Sequence, residues 1–331
     1  MKLGTDILWL SEKDVRELLT MEDALAAVEE AFRLHAQGQA QMPSKLYLDF
    51  EPFGGDLRAM PAYLKGANAA GVKIVNSNAK NPERGLPAVA GLMIYIDPET
   101  GLPLGVFGAG TLTAMRTGAA GGIAAKYLAR QDSHTLALIG CGKQAETQLI
   151  ALSTFFKFSK ISVWGKTAQE SADFCQRLAA HIPPLTAIAT VEEAVRDADI
   201  IVTTTPVHTP LVKAAWVKPG AHINAIGADA PGKQELETEL ILKSRVIVDE
   251  WHQASHAGEL NVPVTERRFS ESHLVAQLGE VLSGQKQGRL VNSDITIFDS
   301  TGLAIQDVAT AKRLYEKAVK LNKGQVLNLH G

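Results

Sequence analysis

Only two cysteines, Cys141 and Cys175, occur in 331 residues. Two thiols cannot make a disulfide framework or a four-thiolate zinc site, and so sparse a count fits a reducing compartment. Runs of five like charges are absent, and thirty-three basic against thirty-six acidic side chains leave a net charge of −3. The electrostatic footprint of a nucleic-acid or anionic-membrane partner is therefore missing. Long apolar runs are missing too. The stretch of lowest charge, Leu86 to Met115, is broken by Pro87, Asp97, Pro98, Glu99, Gly101 and Pro103, so no spanning helix fits. Met1 to Leu10 is interrupted by Lys2, Gly4, Thr5 and Asp6, which gives a signal peptide no apolar core. No H-E-x-x-H, G-x-S-x-G or P-loop pattern occurs, so acyl and phosphoryl transfer lack their machinery. His252 and His256 stand four apart beside Asp249 and Glu250 without a further ligand set, and no metal is expected. What remains is a cytoplasmic protein with a small-molecule partner.

The length is about twice that of one domain, and 46% hydrophobic residues can fill two cores. Ser11 and Thr20 each precede an Asp by three positions, so the chain is expected to open with two capped helices, the second stopping at Gly38. Lys45–Phe50, Leu57–Leu64, Gly71–Asn76 and Ala88–Ile96 read as strands of an antiparallel sheet. Asp97–Gly101 reads as a hairpin turn, and Thr111–Ala129 as a helix whose Gly118, Gly121 and Gly122 allow close approach. From His134 onward strands alternate with helices, one of them spanning Ala168–His181, which predicts a parallel sheet of about six strands. The fold class is thus α/β, a doubly wound parallel (Rossmann) sheet plus a second α+β lobe. The second lobe takes residues 1–125 and 303–331, and the nucleotide lobe 126–302, with a cleft between them.

The motif with the clearest mechanism is Gly140-Cys141-Gly142-Lys143-Gln144-Ala145, directly after the apolar strand Leu136–Ile139. Its first glycine permits a tight turn, its second lets backbone amides reach a pyrophosphate, and Ala145 lets helix and sheet pack closely. An acid that would hold the ribose of NAD is expected at the end of the next strand, but Gly165-Lys166-Thr167 stands there. A cation and a hydroxyl suit a 2′-phosphate, so NADP(H) is favoured, with NAD(H) as the alternative. Thr203, Thr204 and Thr205 end another strand at the same sheet edge and suit the nicotinamide ribose.

Arg58 and Lys73 interrupt apolar extended runs, and Arg116 interrupts a weakly charged helix, where it suits a substrate carboxylate or the cofactor pyrophosphate. Buried cations need a reason: Arg presents a fork matched to a carboxylate, whereas a desolvated Lys can lose its proton and act as acid or base. Asp229 follows the strand His222–Ile226 at the carboxyl edge of the sheet, either facing the cleft or capping a helix near Gln234.

Six segments together resemble the ornithine cyclodeaminase/mu-crystallin family, and within it the archaeal-type alanine dehydrogenases. They are Gln41–Leu48, Asp56–Ala62, Gly71–Ser77, Arg116–Gly122, Gly227–Leu236 and Phe298–Asp307. The resemblance implies a homodimer whose first lobe pairs sheets across a two-fold axis, with a nicotinamide cofactor in the other lobe. It implies that Lys73 is the catalytic lysine, that Arg58 and Arg116 take the substrate carboxylate, and that Asp229 is the cleft aspartate. It also places Lys45 where an arginine is frequent, and Ser300, Thr301 and Gly302 near the nicotinamide. Gly165 stands where NAD-using members tend to have Asp, Asn78 where many have His, and Arg58 where the cyclodeaminase branch carries an acid. A cation at position 58 repels a second substrate ammonium. The expected reaction is therefore reversible oxidative deamination of L-alanine to pyruvate and ammonia through an imine. The alternatives are a cyclic ketimine or pyrroline-2-carboxylate reductase, an ornithine cyclodeaminase, and an NADPH-dependent binding protein without turnover.

Overall fold

The computed structural model describes residues 5–78, 80–179 and 185–329. The chain divides into two units, one of Met1–Arg116 with Leu303–Gly331 and the other of Thr117–Gly302. This division and the boundary expected after residue 125 fall inside one helix, Ala109–Leu128. Ala180 and His181, the expected end of a helix, lie outside the described residues.

In the first unit the strands are β1 (Asp6–Leu10), β2 (Ala40–Gln41), β3 (Leu46–Phe50), β4 (Gly55–Leu64), β5 (Ala69–Asn78), β6 (Val89–Ile96) and β7 (Pro103–Gly108). They form one sheet with a late strand, Gln325–Asn328, in the order Gln325–Asn328, β1, β7, β6, β5, β4, β2, while β3 pairs with β4. The antiparallel expectation holds from β2 to β7 but not at β1, which runs parallel to β7. Nor does the chain open with a helix: β1 precedes both. Five residues are too few to show a period, and β1 is fixed by partners far along the chain. The two capping boxes form as expected, with Asp14 and Asp23 reaching back to Ser11 and Thr20. In the turn between β6 and β7, Thr100 Oγ1 donates to Asp97 at 2.6 Å.

The helix Ala304–Lys320 lies on β4, β5 and β6. The opposite face of that sheet carries Leu46, Ile74 and Leu92, aligned across β3–β6 and exposed, as is Leu48. An apolar stripe of this kind is unusual on a monomer surface.

The second unit holds β8 (Thr135–Ile139), β9 (Lys160–Trp164), β10 (Leu185–Ala187), β11 (Ile200–Thr203), β12 (His222–Ala225), β13 (Arg245–Val248), β14 (Ala276–Gln277) and β15 (Thr296–Asp299). All pair in parallel, in the order β10, β9, β8, β11, β12, β15, β13, β14. Among the described residues this sheet has eight strands rather than about six, with the two-residue β14 at one edge. Leu136 and Leu138 pack in one core and Ala137 and Ile139 in another, the two-faced burial of a doubly wound sheet. Gly118, Gly121 and Gly122 let their helix approach the helix Lys143–Phe155: a Cβ at these positions would overlap Thr147, Gln148 and Ala151.

Candidate functional site

In the first unit, Met60 lies opposite Lys73 and Arg58 opposite Val75 across β4 and β5. Period-two alternation therefore sets Arg58 and Lys73 on one face, the face that the helix Ala304–Lys320 covers. Lys73 is fully buried, and its Nζ donates to Asp307 Oδ1 at 2.8 Å. The same oxygen accepts from Arg116 Nε at 2.9 Å, while Arg116 Nη1 donates to Gln306 Oε1 at 3.1 Å. Burial, with the Arg116 guanidinium beside it, pulls the Lys73 ammonium from 10.5 down to about 7, although Asp307 opposes the shift. Asp307 Oδ2 makes no hydrogen bond to any protein group, and it is buried. Two cations thus share one carboxylate oxygen, and an acceptor beside it is left over.

Arg58 holds Asp56 Oδ2 through Nε at 2.9 Å and Nη2 at 2.7 Å, with its guanidinium over the Tyr47 ring. Lys45 stands just before β3 and is half-buried. No motif or spacing in the sequence singles out Asp56, Gln306 or Asp307 as site residues. A signal was present at Asp307, an acid within the apolar run Leu303–Ala309, the same kind of break that singled out Lys73.

In the second unit, Gly140 takes φ +120 and its amide donates to the Trp164 carbonyl at 2.8 Å. Gly142 is the N-cap of the helix Lys143–Phe155 and offers no side chain to its first amides. A Cβ on Gly142 would meet nothing within 4 Å, and Ala145 is fully buried. Gln144 Oε1 and Ser300 Oγ are buried without protein partners. Open amides, a bare approach and two orphaned polar atoms fit a dinucleotide phosphate loop. Lys143 turns aside, with its Nζ on Glu146 at 2.8 Å. Gly140→Ala is expected to cost about 1–3 kcal/mol through the left-handed backbone, and its methyl would overlap Thr204 Oγ1. A thermal melt and an NADH fluorescence titration check this; an unchanged melt with unchanged affinity refutes the tight turn.

At the end of β9, Thr167 is committed to its own helix, its hydroxyl accepting from the Glu170 amide at 3.2 Å. The hydroxyl thus uses an acceptor lone pair on the helix, and its O–H remains the group that a ribose phosphate would take. Lys166 is exposed. Gly165 gives its amide to Ser171 Oγ at 2.8 Å, and a Cβ there would sit 2.8 Å from Cys141 Sγ. Any side chain at position 165 would therefore crowd Cys141.

Thr205 donates through both its amide and its hydroxyl to Glu235 Oε1, each at 2.6 Å. Thr204 Oγ1 donates to the Ile139 carbonyl at 3.3 Å, and Thr203 is buried. Thr301 and Gly302 give their amides to Asp249 Oδ2, both at 2.7 Å. Asp229 follows β12 and accepts from Lys233 Nζ at 2.6 Å. The helix expected near Gln234 begins instead at Thr238, so Asp229 does not cap it. Segment 234–236 is held extended, because Glu259 takes the Glu235 and Leu236 amides and Leu236 bridges to Val212. His256 Nδ1 lies 2.7 Å from the His252 carbonyl, and no cluster of metal-ligating side chains occurs among the described residues. Nor is any described helix long and apolar enough to cross a membrane.

The model of the ornithine cyclodeaminase/mu-crystallin family matches residues 6–322. The chain belongs to that family. It is 51% identical over 324 residues to an alanine dehydrogenase of Archaeoglobus fulgidus, covering 96% of this chain and 97% of the relative. An archaeal alanine dehydrogenase dimer solved with bound NAD superposes with a TM-score of 0.94 at 49% identity, covering 98% of this chain and 99% of that one. A Thermococcus litoralis Delta(1)-pyrroline-2-carboxylate reductase, solved with NADH and L-proline, follows at 0.93 and 36%, covering 96% and 99%. The family assignment accounts for the fold of both units and for the glycine loop after β8.

Proposed function

We propose that the chain is a nicotinamide-dependent amino-acid dehydrogenase that interconverts L-alanine with pyruvate and ammonia. One observation supports it above the others: Lys73, fully buried and held on Asp307, is pulled down to about 7, where an amine can both take and give a proton. The identity to the Archaeoglobus alanine dehydrogenase points the same way.

Arg58 and Arg116 would fix the substrate carboxylate by charge-assisted hydrogen bonds. Neutral Lys73 would take a proton from the substrate ammonium and, with Asp229, manage protons as water adds to the imine and ammonia leaves. Gly140, Gly142, Gln144 and Ala145 would hold the pyrophosphate, with Lys143 beside it, while Thr203–Thr205 and Ser300–Gly302 would border the nicotinamide. The cofactor, when bound, supplies the hydride acceptor or donor. Lys45, at a position where family members carry a cation, would add to the field on the carboxylate.

For the cofactor, exposed Lys166 and the absence of an acid at Gly165 support use of NADP(H). The relatives solved with NAD or NADH support NAD(H). Assay of the purified chain with pyruvate plus ammonia, with a cyclic imino acid and with ornithine, each with NADH and NADPH, decides the reaction. Oxidation of cofactor with pyruvate and ammonia is expected; activity only with the cyclic imine would make the chain a ketimine reductase. In the same assay Lys166→Ala should raise KM for NADPH about two- to fivefold, the worth of an exposed ion pair, and leave KM for NADH alone. Equal change in both would remove Lys166 from the phosphate.

The exposed stripe of Leu46, Leu48, Ile74 and Leu92 supports a homodimer closed through this sheet face. Light scattering should give twice the chain mass, and Ile74→Glu should give the monomer. A monomeric wild-type chain would defeat this reading.

A further inference from the structure

Four carboxyls, Glu235, Asp249, Glu259 and Asp299, are buried together at the carboxyl edge of the parallel sheet. The charges acting on Glu259 are those of Glu235 and Asp299, and those on Asp299 are Asp249 and Glu235, all acidic. Four ionised carboxylates cannot share so small a desolvated volume without a cation.

Their hydrogen bonds sort them into two kinds. Both oxygens of Glu235 are filled by donors, Oε1 by the Thr205 amide and hydroxyl and Oε2 by the Gly227 amide at 2.8 Å. Both oxygens of Asp249 are filled as well, Oδ2 by the Thr301 and Gly302 amides and Oδ1 by the Glu250 amide at 2.8 Å. A carboxyl surrounded only by donors has no place for a proton of its own. Asp299 differs: Oδ2 accepts from Leu260 at 3.2 Å, while Oδ1 has no partner. Glu259 differs too. Its Oε1 takes the Leu236 and Glu235 amides at 2.6 and 2.9 Å, and its Oε2 has only a share of the Glu235 amide at 3.1 Å. Burial pushes Glu259 and Asp299 well above the usual carboxylate range. Burial also raises Glu235, opposed by the donors from Thr205 and Gly227.

We propose that Glu235 and Asp249 are positioning residues for the nicotinamide cofactor. As ionised carboxylates they pin the strand ends Thr203–Thr205, Gly227 and Thr301–Gly302, while Glu259 and Asp299 stand as neutral acids that make this charge arrangement tenable. The assignment rests on the reading of the second unit as the dinucleotide-binding one, and it adds residues that never touch the cofactor but fix the loops that do.

Amide substitution separates the two kinds. Glu235→Gln and Asp249→Asn place an NH2 against a backbone N–H whichever way the amide turns, whereas Glu259→Gln and Asp299→Asn imitate a neutral acid. Fluorescence titration with NADH and NADPH should show Glu235→Gln and Asp249→Asn weakened about tenfold, the cost of an unmet buried donor. Their kcat at saturating cofactor and KM for pyruvate should stay near wild type. Glu259→Gln and Asp299→Asn should keep cofactor affinity. Should Asp249→Asn not fold, Glu235→Gln against Glu259→Gln carries the comparison. Equal affinity in all variants, or loss that follows melting temperature alone with kcat and KM falling together, would overturn the assignment while leaving the proposed function in place. A wild-type chain that binds neither dinucleotide would remove both.

Discussion

Lys73→Ala is expected to lower turnover with alanine, or with pyruvate and ammonia, by about 10²–10⁴-fold, the usual yield of a positioned acid or base, while NADH still binds. The two effects separate because Lys73 belongs to β5 of the first unit and the glycine loop to the second. The pH profile carries the sign. With its amine near 7, Lys73 is neutral above that pH and can accept a proton, so kcat/KM for alanine oxidation should climb through pH 7 and level off. In the reductive direction the protonated form donates, and the corresponding limb should fall over the same range. Lys73→Arg keeps the charge but holds its proton at every accessible pH, so it should be nearly as inactive as Lys73→Ala. Alanine oxidation persisting in either variant would remove Lys73 from the mechanism.

Asp307→Ala should be among the most destabilising single changes in the chain. Its Oδ1 is shared by Lys73 and Arg116, with Lys73 and Asp307 fully buried. Removing the carboxylate leaves Arg116 and Lys73 without their shared partner in a desolvated site, and breaking a buried pair in this way costs about 3–5 kcal/mol. The Lys73 ammonium then loses the group that opposes its loss of a proton, so its pKa should fall further and the pH limb of any residual activity should move to lower pH. Urea unfolding reads the first effect and the kcat/KM profile the second. A variant as stable as wild type would mean that the two cations find another counter-charge. Asp307→Asn keeps an acceptor oxygen and should be the milder of the two.

The cations of the site were legible because a charge inside an apolar run is conspicuous: Lys73 between Val72 and Ile74, Arg58 between Leu57 and Ala59, Arg116 in a helix of small residues. Their partner was not, since Asp307 lies 234 positions from Lys73 and no spacing rule reaches so far. Asp229 shows the reverse case. Its position after a strand was readable, and so in principle was its pairing with Lys233 four residues on, but the helix it was suspected of capping does not start there. At Gly165 the sequence shows only that a carboxylate is missing, whereas the crowding by Cys141 exists only once two loops lie side by side.

By itself the sequence determined what depends on neighbours along the chain: the capping boxes at Ser11 and Thr20, the strand and helix alternation from residue 134, and the G-x-G-x-x-A turn. Each is a local pattern of hydrogen bonds or of apolar period, complete within a few residues. Folding alone decided the place of β1 beside β7, the meeting of Lys73 and Arg116 on Asp307, and the four carboxyls that share one buried volume. Those outcomes depend on desolvation and on groups far apart along the chain, and neither burial nor their meeting exists until the chain is packed.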